Sequence, residues 1–336
     1  MKQDFCGRLL MPMFTRIAQA LVAAALFLVA PQGAAQSFPV KPVQITVPFS
    51  TGNAIVDTVA RLISPRLAEF LGQPVIINNR PGANGMIGAE QVARAAADGY
   101  TLLITSPSTQ ITAVFMNKQI PYDPQKDFTP ISAVVEPVTG IAVLESFPAN
   151  SVRELLDLAR KNPGKFSFSS SGIGSVFHLT GELLNQAAGT DFLHVPYKVN
   201  QQALSDVLSG RITVLFNPIL LISPQVRAGK LKLLAVLEGR RFAGLPGTAS
   251  VIEVLPGFEK PPSWLGYFGP AALPPALVSR LNADIVRAVN AAEVKSKLEE
   301  GGMAVIGNSA QEFTEQIRNG FVVYGRAFKM AGVKPE

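Results

Sequence analysis

The sequence predicts an α/β protein with two lobes, a central sheet in each lobe and a cleft between them. Apolar residues make up 48% of the chain and charged residues only 16%, a composition typical of proteins whose parallel strands are buried on both faces. Strand-like and helix-like segments alternate, which favours βαβ units with right-handed crossovers. The alternation forms two series, and the joining segments near residues 120–140 and 240–262 are expected to be irregular.

The first series contains three predicted strands with two helices between them. The strands are short runs rich in β-branched and aliphatic residues, such as VQITVPF and YTLLIT. In chain order, the predicted segments are a strand at 43–49, a helix at 54–71, a strand at 74–79, a helix at 86–97 and a strand at 100–105.

The second series repeats the pattern with four strands and three helices. Its first helix is marked by Ser151 with Glu154 three residues later, the spacing of a capping box. The predicted helices are 151–161, 175–188 and 200–210, and the predicted strands are 165–171, 192–197, 212–217 and 231–236.

Two further helices are predicted after the second series. One occupies about 275–291, and the other is capped by Ser309 with Glu312 and runs to about residue 330. If these helices pack on the first lobe, the chain crosses the hinge twice. Lobe 1 would then comprise residues 36–138 and 262–336, and lobe 2 would comprise residues 139–261.

The first 35 residues have the features of a secretory signal peptide. Three basic residues precede a charge-free apolar run at 17–30, and small residues follow, so we expect cleavage after Ala35. The apolar run is shorter than the roughly 20 residues that a spanning helix needs. A membrane anchor is the alternative interpretation. Export to the periplasm is expected.

The expected mature chain lacks cysteine and is mildly basic. Cys6 is the one cysteine and would leave with the signal peptide, which excludes disulfides, thiolate metal sites and a cysteine nucleophile. The formal net charge of +6 falls slightly on cleavage, and no basic run or basic–aromatic stripe is present. This balance favours an anionic small ligand and argues against nucleic acid.

Three glycine-rich segments join a predicted strand to a predicted helix, at 48–57, 79–90 and 169–184. A helix N-terminus attracts carboxylate or phosphate because its N–H groups are unpaired and carry partial positive charge. Ligands of open α/β folds bind at the carboxyl ends of strands, which is where 48–57 and 169–184 lie. The alternative is that all three are ordinary caps and turns. The segment 79–90 lacks a dinucleotide fingerprint, so a turn with close helix–sheet packing is expected there.

Catalytic motifs are sparse in this sequence. A hydrolase could be built from Ser171 or Ser175 with one of the two histidines, but no G-x-S-x-G motif is present. We expect His178 to cap or brace the serine-rich loop and His194 to be structural. No metal-binding or nucleotide-binding motif occurs, and no cofactor is expected.

Three aromatic residues are candidates for the cleft. Phe49 lies beside the first glycine turn and is expected to face the ligand. Trp264 and Tyr267 could line the cleft or fill the core between the lobes, and the sequence leaves both possibilities open.

From Phe38 to about residue 332 the chain resembles the periplasmic receptors of tripartite tricarboxylate transporters, the TctC-like or Bug-type family. The matching runs include LGQPVIINNRPGANGMIGAE (71–90), YDPQKDFTPIS (122–132), SSSGIGSVFHLTGELL (169–184) and WLGYFGPAALPPALVSRLN (264–282). Their order along the whole expected mature chain makes the resemblance specific.

The resemblance implies a type II-like periplasmic binding protein that closes on organic acids, performs no catalysis and delivers its ligand to a membrane permease. Two loops would hold the ligand. The implied positions are Phe49, Ser50, Thr51, Gly52, Asn53 and Ser106 in the first lobe, and Ser171, Gly172, Gly174, Ser175, Val176, His178 and Asn217 in the second.

Five positions depart from the family pattern. Asn53 replaces a common glycine, and Asp57 is displaced by one residue. Val176 replaces a common serine, and Val199 a usual glycine. Asn217 stands where an aspartate often occurs. Because Asn217 supplies no charge to pair with an ammonium group, we expect a ligand without an α-amino group, such as a dicarboxylate or an aromatic or apolar monocarboxylate.

The expected function is therefore capture of a small carboxylate for uptake by a transporter, by a protein that is a monomer. The alternative is a periplasmic receptor that uses the same closure to signal to a membrane sensor. A remote alternative is an exported serine hydrolase built on Ser175 and His178.

Overall fold

The computed structural model describes residues 38–52, 55–197 and 200–335. The expected signal peptide, Asn53 and Val199 lie outside the described residues. From Lys41 onward the chain forms one compact unit, which contains two sheets and the helices that cover them. No helix among the described residues combines the length and apolar character that crossing a membrane requires.

The first half of the chain confirms the predicted alternation. The elements are β1 (Val43–Val47), α1 (Ile55–Leu71), β2 (Val75–Asn79), α2 (Met86–Ala93), β3 (Thr101–Thr105), a π-helical turn (Ser108–Thr112), α3 (Ala113–Met116), β4 (Phe128–Pro137) and β5 (Thr139–Leu144). Gly88 of α2 packs so closely that an added Cβ would lie 2.9 Å from both Arg80 O and Pro48 Cβ. The expected tight helix–sheet packing of the segment 79–90 is thus confirmed.

The second half continues the same alternation. The elements are α4 (Val152–Lys161), β6 (Ser167–Ser170), α5 (Val176–Ala188), β7 (Leu193–Pro196), α6 (Asn200–Leu208), β8 (Val214–Pro218), α7 (Ile219–Arg227), β9 (Leu231–Val236), β10 (Leu265–Pro270), α8 (Pro275–Val289), α9 (Ala292–Glu300), β11 (Met303–Val305) and α10 (Ala310–Met330).

The expectation of an irregular segment at 120–140 was wrong for its second part. Residues 128–137 form β4, which pairs with β10 and β11, and the segment ends in the first residues of β5. Pro130 and Pro137 argue locally against a strand, because proline cannot donate to a sheet. The β4–β10 pairing has register shifts near Pro130, and such bulges tolerate proline. The segment 240–262 contains one short 3₁₀ helix, Val251–Glu253, and no strand.

Each sheet mixes parallel and antiparallel strands. The first sheet has the order β11-β4-β10-β3-β1-β2, and the second has the order β7-β6-β8-β5-β9. The strands β1, β2 and β3 are parallel, as are β6, β7 and β8, which confirms the βαβ units. In the first sheet β10 is antiparallel to both neighbours, and in the second β5 is.

The chain passes between the sheets at two places. It leaves the first sheet after β4 and enters the second at β5 with only Val138 between them, and it returns between β9 and β10. The C-terminal helices then pack on the first sheet: α8 contacts α1 and β4, and α10 contacts β4. Helix α10 also contacts α5 beside the second sheet.

Buried charges join the two crossings. Lys260 Nζ lies 2.6 Å from Glu136 Oε1 and 3.5 Å from Glu238 Oε1. Glu136 belongs to β4, whereas Glu238 and Lys260 belong to the return segment. Glu238 also accepts the Thr139 N–H at 3.0 Å. The lysine thus bridges two carboxylates where the chain changes sheets.

The helix caps follow the predicted pattern with one difference. At α10 the capping box is complete, because Ser309 Oγ accepts from Glu312 N–H and Glu312 accepts from Ser309 N–H. At α4, Ser151 Oγ accepts from Glu154 N–H, but the Glu154 carboxylate accepts from Asn150 N–H. The box predicted at Ser151 is therefore only half formed.

Trp264 and Tyr267 are fully buried, with 0% of each exposed. Tyr267 lies within β10, and Trp264 directly precedes it. The Trp264 ring packs edge-on against Phe313 of α10, with centroids 4.9 Å apart. Both side chains thus fill the core around the first sheet, and neither is part of the cleft described below.

Candidate functional site

A cavity of about 330 Å³ is lined by segments that follow strands of both sheets. Its hydroxyl-bearing residues are Ser106, Ser108, Thr112, Thr139, Ser171, Ser175, Ser263 and Tyr324. Its apolar residues include Ile55, Val56, Val176, Phe177, Pro218 and Leu265. No charged side chain lines this cleft within the described part of the chain. A guest would therefore meet neutral donors and apolar surface.

The glycine turn of the first lobe is held by a buried carboxylate. Gly52 has φ +72°, and its N–H donates to Asp57 Oδ2 at 2.9 Å. Arg61 Nε donates to the same oxygen at 3.0 Å, and Asn79 Nδ2 donates to Asp57 Oδ1 at 2.8 Å. Asn79 Nδ2 also reaches Phe49 O at 2.9 Å. Asp57 thereby fixes the turn to both α1 and β2.

The surroundings of Asp57 favour its charged form. Burial alone would raise the pKa of this carboxyl, but the hydrogen bonds from Arg61, Asn79 and the Gly52 N–H outweigh burial and lower the pKa. Asp57 is 1% exposed. In the sequence, Asp57 stands out only as a family position displaced by one residue; the structure places it in the first turn of α1, where the helix dipole favours negative charge.

Of the predicted first-lobe loop, the described residues Phe49, Ser50, Thr51 and Gly52 are not part of the cavity lining. Phe49 is half-buried, and Ser50, Thr51 and Gly52 are exposed. Among the described residues, the wall nearby is formed instead by Ile55 and Val56, at the start of α1.

Ser106 lies just after β3 and lines the cavity, in the position expected of it. Its Oγ is 2.8 Å from Ser108 Oγ, so two hydroxyls are paired at this edge. Ser108 and Thr112 carried no distinctive sequence signal. They reach the wall because the chain after β3 turns into π-helical geometry.

The second-lobe loop, residues 171–175, links β6 to α5. Ser171, Gly174 and Ser175 line the cavity together with Val176 of α5, whereas Gly172 lies outside this lining. Ser175 is the N-cap of α5, and its Oγ accepts the His178 N–H at 3.3 Å. The loop therefore presents hydroxyls beside a helix N-terminus, as an anion site requires.

Two histidines support this loop from behind. Gly174 N–H donates to His178 Nδ1 at 3.1 Å. Gly172 N–H donates to Ser170 Oγ at 3.1 Å, and that oxygen lies 2.6 Å from His194 Nε2. The two imidazoles stack with centroids 3.9 Å apart. His178 thus braces the loop through a ring nitrogen, and His194 does so through Ser170.

Burial favours the neutral form of both imidazoles. It lowers the pKa of His178. The pKa of His194 is lowered to about 4, first by burial and then by the neighbouring charge of His178. Both rings are therefore neutral at pH 7.

The described serines that line the cleft do not form the serine–histidine hydrogen bond that a hydrolase of this kind requires. The close pair is Ser170 with His194, and Ser170 is 3% exposed and lies outside the cavity lining. Ser175 Oγ is engaged by a backbone N–H, and His178 Nδ1 by another. The described geometry can bind and orient a guest, and within it Ser175 Oγ is not hydrogen-bonded to an imidazole.

Asn217 is 2% exposed, and its Oδ1 has no partner among the described residues. It lies in β8 opposite Gly140, directly before Pro218, which lines the cavity. Asn217 itself is not part of the described lining. Gly140 is preceded in β5 by Thr139, which lines the cavity. Thr139 was missed in the sequence because the passage from β4 to β5 that places this residue there was not predicted.

The second-lobe loop also touches elements beside the first sheet. A Cβ added at Gly174 would lie 2.5 Å from Met116 Sδ and 3.3 Å from Phe328 Cε1. Met116 belongs to α3, and Phe328 belongs to α10. The two lobes are therefore in contact next to the cavity.

Two mixed α/β lobes with a hydroxyl-lined cleft between them define a two-lobed periplasmic binding protein. Rpa4515 from Rhodopseudomonas palustris, solved with adipate, is 32% identical and superimposes with a TM-score of 0.73, covering 89% of this chain and 100% of that one. MatC from the same organism, with bound malate, is 30% identical with a TM-score of 0.67, covering 86% and 99%. The predicted fold class is confirmed.

The chain belongs to the tripartite tricarboxylate transporter receptor family, whose model matches residues 59–332. A UPF0065 protein from the tcbD–tcbE intergenic region of Pseudomonas sp. strain P51 is 34% identical over 285 residues, covering 84% of each chain. The family resemblance found in the sequence is confirmed, and the family is one of substrate-binding receptors.

Proposed function

We propose that this protein captures a small organic acid in the periplasm and hands it to a membrane permease. The observation that carries the proposal is the cleft itself. Hydroxyls and the N-terminus of α5 converge on it, and no charged side chain lines it in the described chain. Neutral donors and a helix N-terminus suit a carboxylate, which can accept several hydrogen bonds.

The expected ligand has no α-amino group. An ammonium group buried in the cleft would need a carboxylate partner, and the described residues of the lining provide none. The apolar residues Val176, Phe177 and Leu265 favour a ligand with an aliphatic or aromatic body. Adipate and malate, the acids bound by the two similar receptors, are therefore the first probes to use.

The proposed mechanism is hinge closure. We assign residues 36–138 and 262–336 to one lobe and residues 139–261 to the other, in line with the sheet crossings near Val138 and in the segment before β10. A ligand that contacts both lobes stabilises the closed state by its higher affinity for that state. The protein would act as a monomer, release its ligand unchanged, and reach the periplasm through cleavage near Ala35.

A ligand screen tests the proposal. The mature chain is titrated with adipate, malate, aspartate and glutamate by isothermal calorimetry and by thermal shift. Organic acids without an amino group should bind and raise the melting temperature as occupancy rises, while the two amino acids should not. Tight binding of aspartate or glutamate alone would refute the ligand class. Turnover of an ester that is lost in Ser175→Ala would instead indicate a hydrolase.

A further inference from the structure

We propose that His178, backed by the stacked His194, positions the second-lobe loop only while the His178 imidazole is neutral, so that protonating His178 frees the loop and weakens the hold on a carboxylate. The inference rests on the proposed function, because it concerns the same cleft. It adds a proton-dependent release step and assigns the two histidines as positioning residues.

The Gly174 N–H donates a hydrogen bond to His178 Nδ1 at 3.1 Å. An imidazole nitrogen accepts a hydrogen bond only without its own proton. His178 is therefore neutral in this geometry and carries its proton on Nε2. A second proton can enter only at Nδ1, where it would face the Gly174 N–H. Two donors then point at each other, and the contact breaks.

The two imidazole rings of His178 and His194 are electrostatically coupled. They stack at 3.9 Å, so a charge on one disfavours a charge on the other. His194 Nε2 lies 2.6 Å from Ser170 Oγ, which accepts the Gly172 N–H. The stacked pair thereby fixes both glycines of the loop, Gly172 through Ser170 and Gly174 directly.

The charged groups around the pair are few. On its own helix, His178 faces Glu182, whose Oε1 lies 3.7 Å from Nε2. From β7 the facing titratable group is His194. The described residues provide no further ion pair to either ring. Burial, and then the charge of Asp191, raise the pKa of Glu182 above its ordinary value. Burial lowers the pKa of both histidines, so their charging needs a pH below the ordinary imidazole value of about 6.5.

The second-lobe loop forms part of the lining of the cavity. Ser171, Gly174 and Ser175 line the cavity. Gly174 also packs on Met116 across the lobe boundary, so movement of the loop disturbs this contact between the lobes as well. The first lobe differs, because Gly52 is held by Asp57, a carboxylate with a lowered pKa. Mild acid should therefore release only the second-lobe loop.

The test compares two variants of one side chain. His178→Asn retains an acceptor near the position of Nδ1 but does not titrate, and His178→Phe removes the acceptor. Amide exchange protection at Gly174 is measured by NMR without ligand from about pH 7.5 to about pH 5.0, with Gly52 as the internal control. Adipate affinity is measured over the same range. The non-titrating Asn variant corrects for protonation of adipate itself.

In the native protein, the amide exchange protection of Gly174 should decrease as the pH is lowered. The protection of Gly52 should stay constant over the same range. Adipate affinity should fall by about tenfold more than in His178→Asn, which corresponds to one unit of pKa difference between the bound and free states. His178→Asn should bind more tightly than His178→Phe throughout. Equal pH profiles for the native protein and His178→Asn, or constant Gly174 protection, overturn the inference. If no carboxylate binds at any pH, the proposed function fails, and the amide measurements still decide the role of the histidines.

Discussion

The N–H of Gly52 donates to Asp57 Oδ2 at 2.9 Å, and the opposite lobe repeats this arrangement with Gly174 and His178 at 3.1 Å. In both lobes a glycine with positive φ is held by a side chain from the first turn of the following helix. The two loops therefore share one construction, although an acid holds one and an imidazole holds the other.

Replacing Asp57 by Asn should destabilise the first-lobe turn. The change removes the charge that Arg61 and Asn79 surround, so we expect the free energy of unfolding to fall by about 1–3 kcal/mol. Urea denaturation at pH 7 measures the loss. Glu259→Gln, at a pair that is exposed on both sides, is the control and should change stability by less than about 0.5 kcal/mol.

The same substitution has a defined pH dependence. The pKa of Asp57 is lower in the folded protein than its ordinary value of 3.8, so its contribution is complete above that value and is lost as pH falls through the folded pKa. The difference between native protein and Asp57→Asn should therefore shrink in strong acid. A difference that grows below pH 4 would contradict this assignment.

Gly174→Ala should weaken adipate binding, and backbone strain alone should not account for the loss. Alanine with positive φ costs about 1–2 kcal/mol, and Gly189→Ala, with φ +62° and no atom near the added Cβ, is the matched control for that cost. At Gly174 the new methyl group also meets Met116. Both variants should show lower melting temperatures, but only Gly174→Ala should lose adipate affinity, and Met116→Ala should partly restore it. Equal affinities in the two glycine variants would exclude a role for the Met116 contact.

Val176→Asp should place a negative charge in the cleft without weakening α5. An acid in the first helical turn is favourable, so the melting temperature should change little. The new carboxylate should repel an organic acid and reduce adipate affinity by at least about tenfold, because like charges across an interface cost several kcal/mol. Calorimetry compares it with Val322→Asp, at a side chain that is 68% exposed on α10. Unchanged adipate binding by Val176→Asp would place the ligand elsewhere.

Lys260→Met should strongly destabilise the fold. The lysine side chain is 8% exposed and bridges Glu136 and Glu238, so its removal leaves the half-buried Glu136 and the buried Glu238 without a cationic partner. Breaking such a cluster costs about 3–5 kcal/mol. Urea denaturation should show this loss for Lys260→Met and only a small change for Lys295→Met, a lysine that is 47% exposed.

The loss caused by Lys260→Met should also depend on pH. Without the ammonium group, burial and mutual repulsion raise the pKa of both carboxyls in the folded protein. The folded variant then binds more protons than its unfolded chain, so its stability rises as pH falls. The deficit should be smaller at pH 5 than at pH 8. A deficit independent of pH would indicate lost packing as the main cause.

Local features of the fold were predictable because they depend on neighbours within a few residues. The capping box of Ser309 and Glu312, the start of a helix near Ser175 and the alternation of strands and helices all follow from backbone hydrogen bonds and short-range sterics. The strand β4 was missed for the same reason, since Pro130 argues against a strand locally, and only pairing with β10 overcomes that preference.

The sequence by itself determined the two α/β series, the family and the place where each glycine turn precedes a helix. Only the tertiary structure decided which side chains reach the cleft. Ser50 and Thr51 lie outside its described lining, while Thr139, Ser263 and Tyr324 form part of the wall. Local interactions fix a turn and its cap, but the wall of a cleft is set by packing between segments more than a hundred residues apart. Patterns among neighbouring residues in the sequence do not reveal which distant segments pack together.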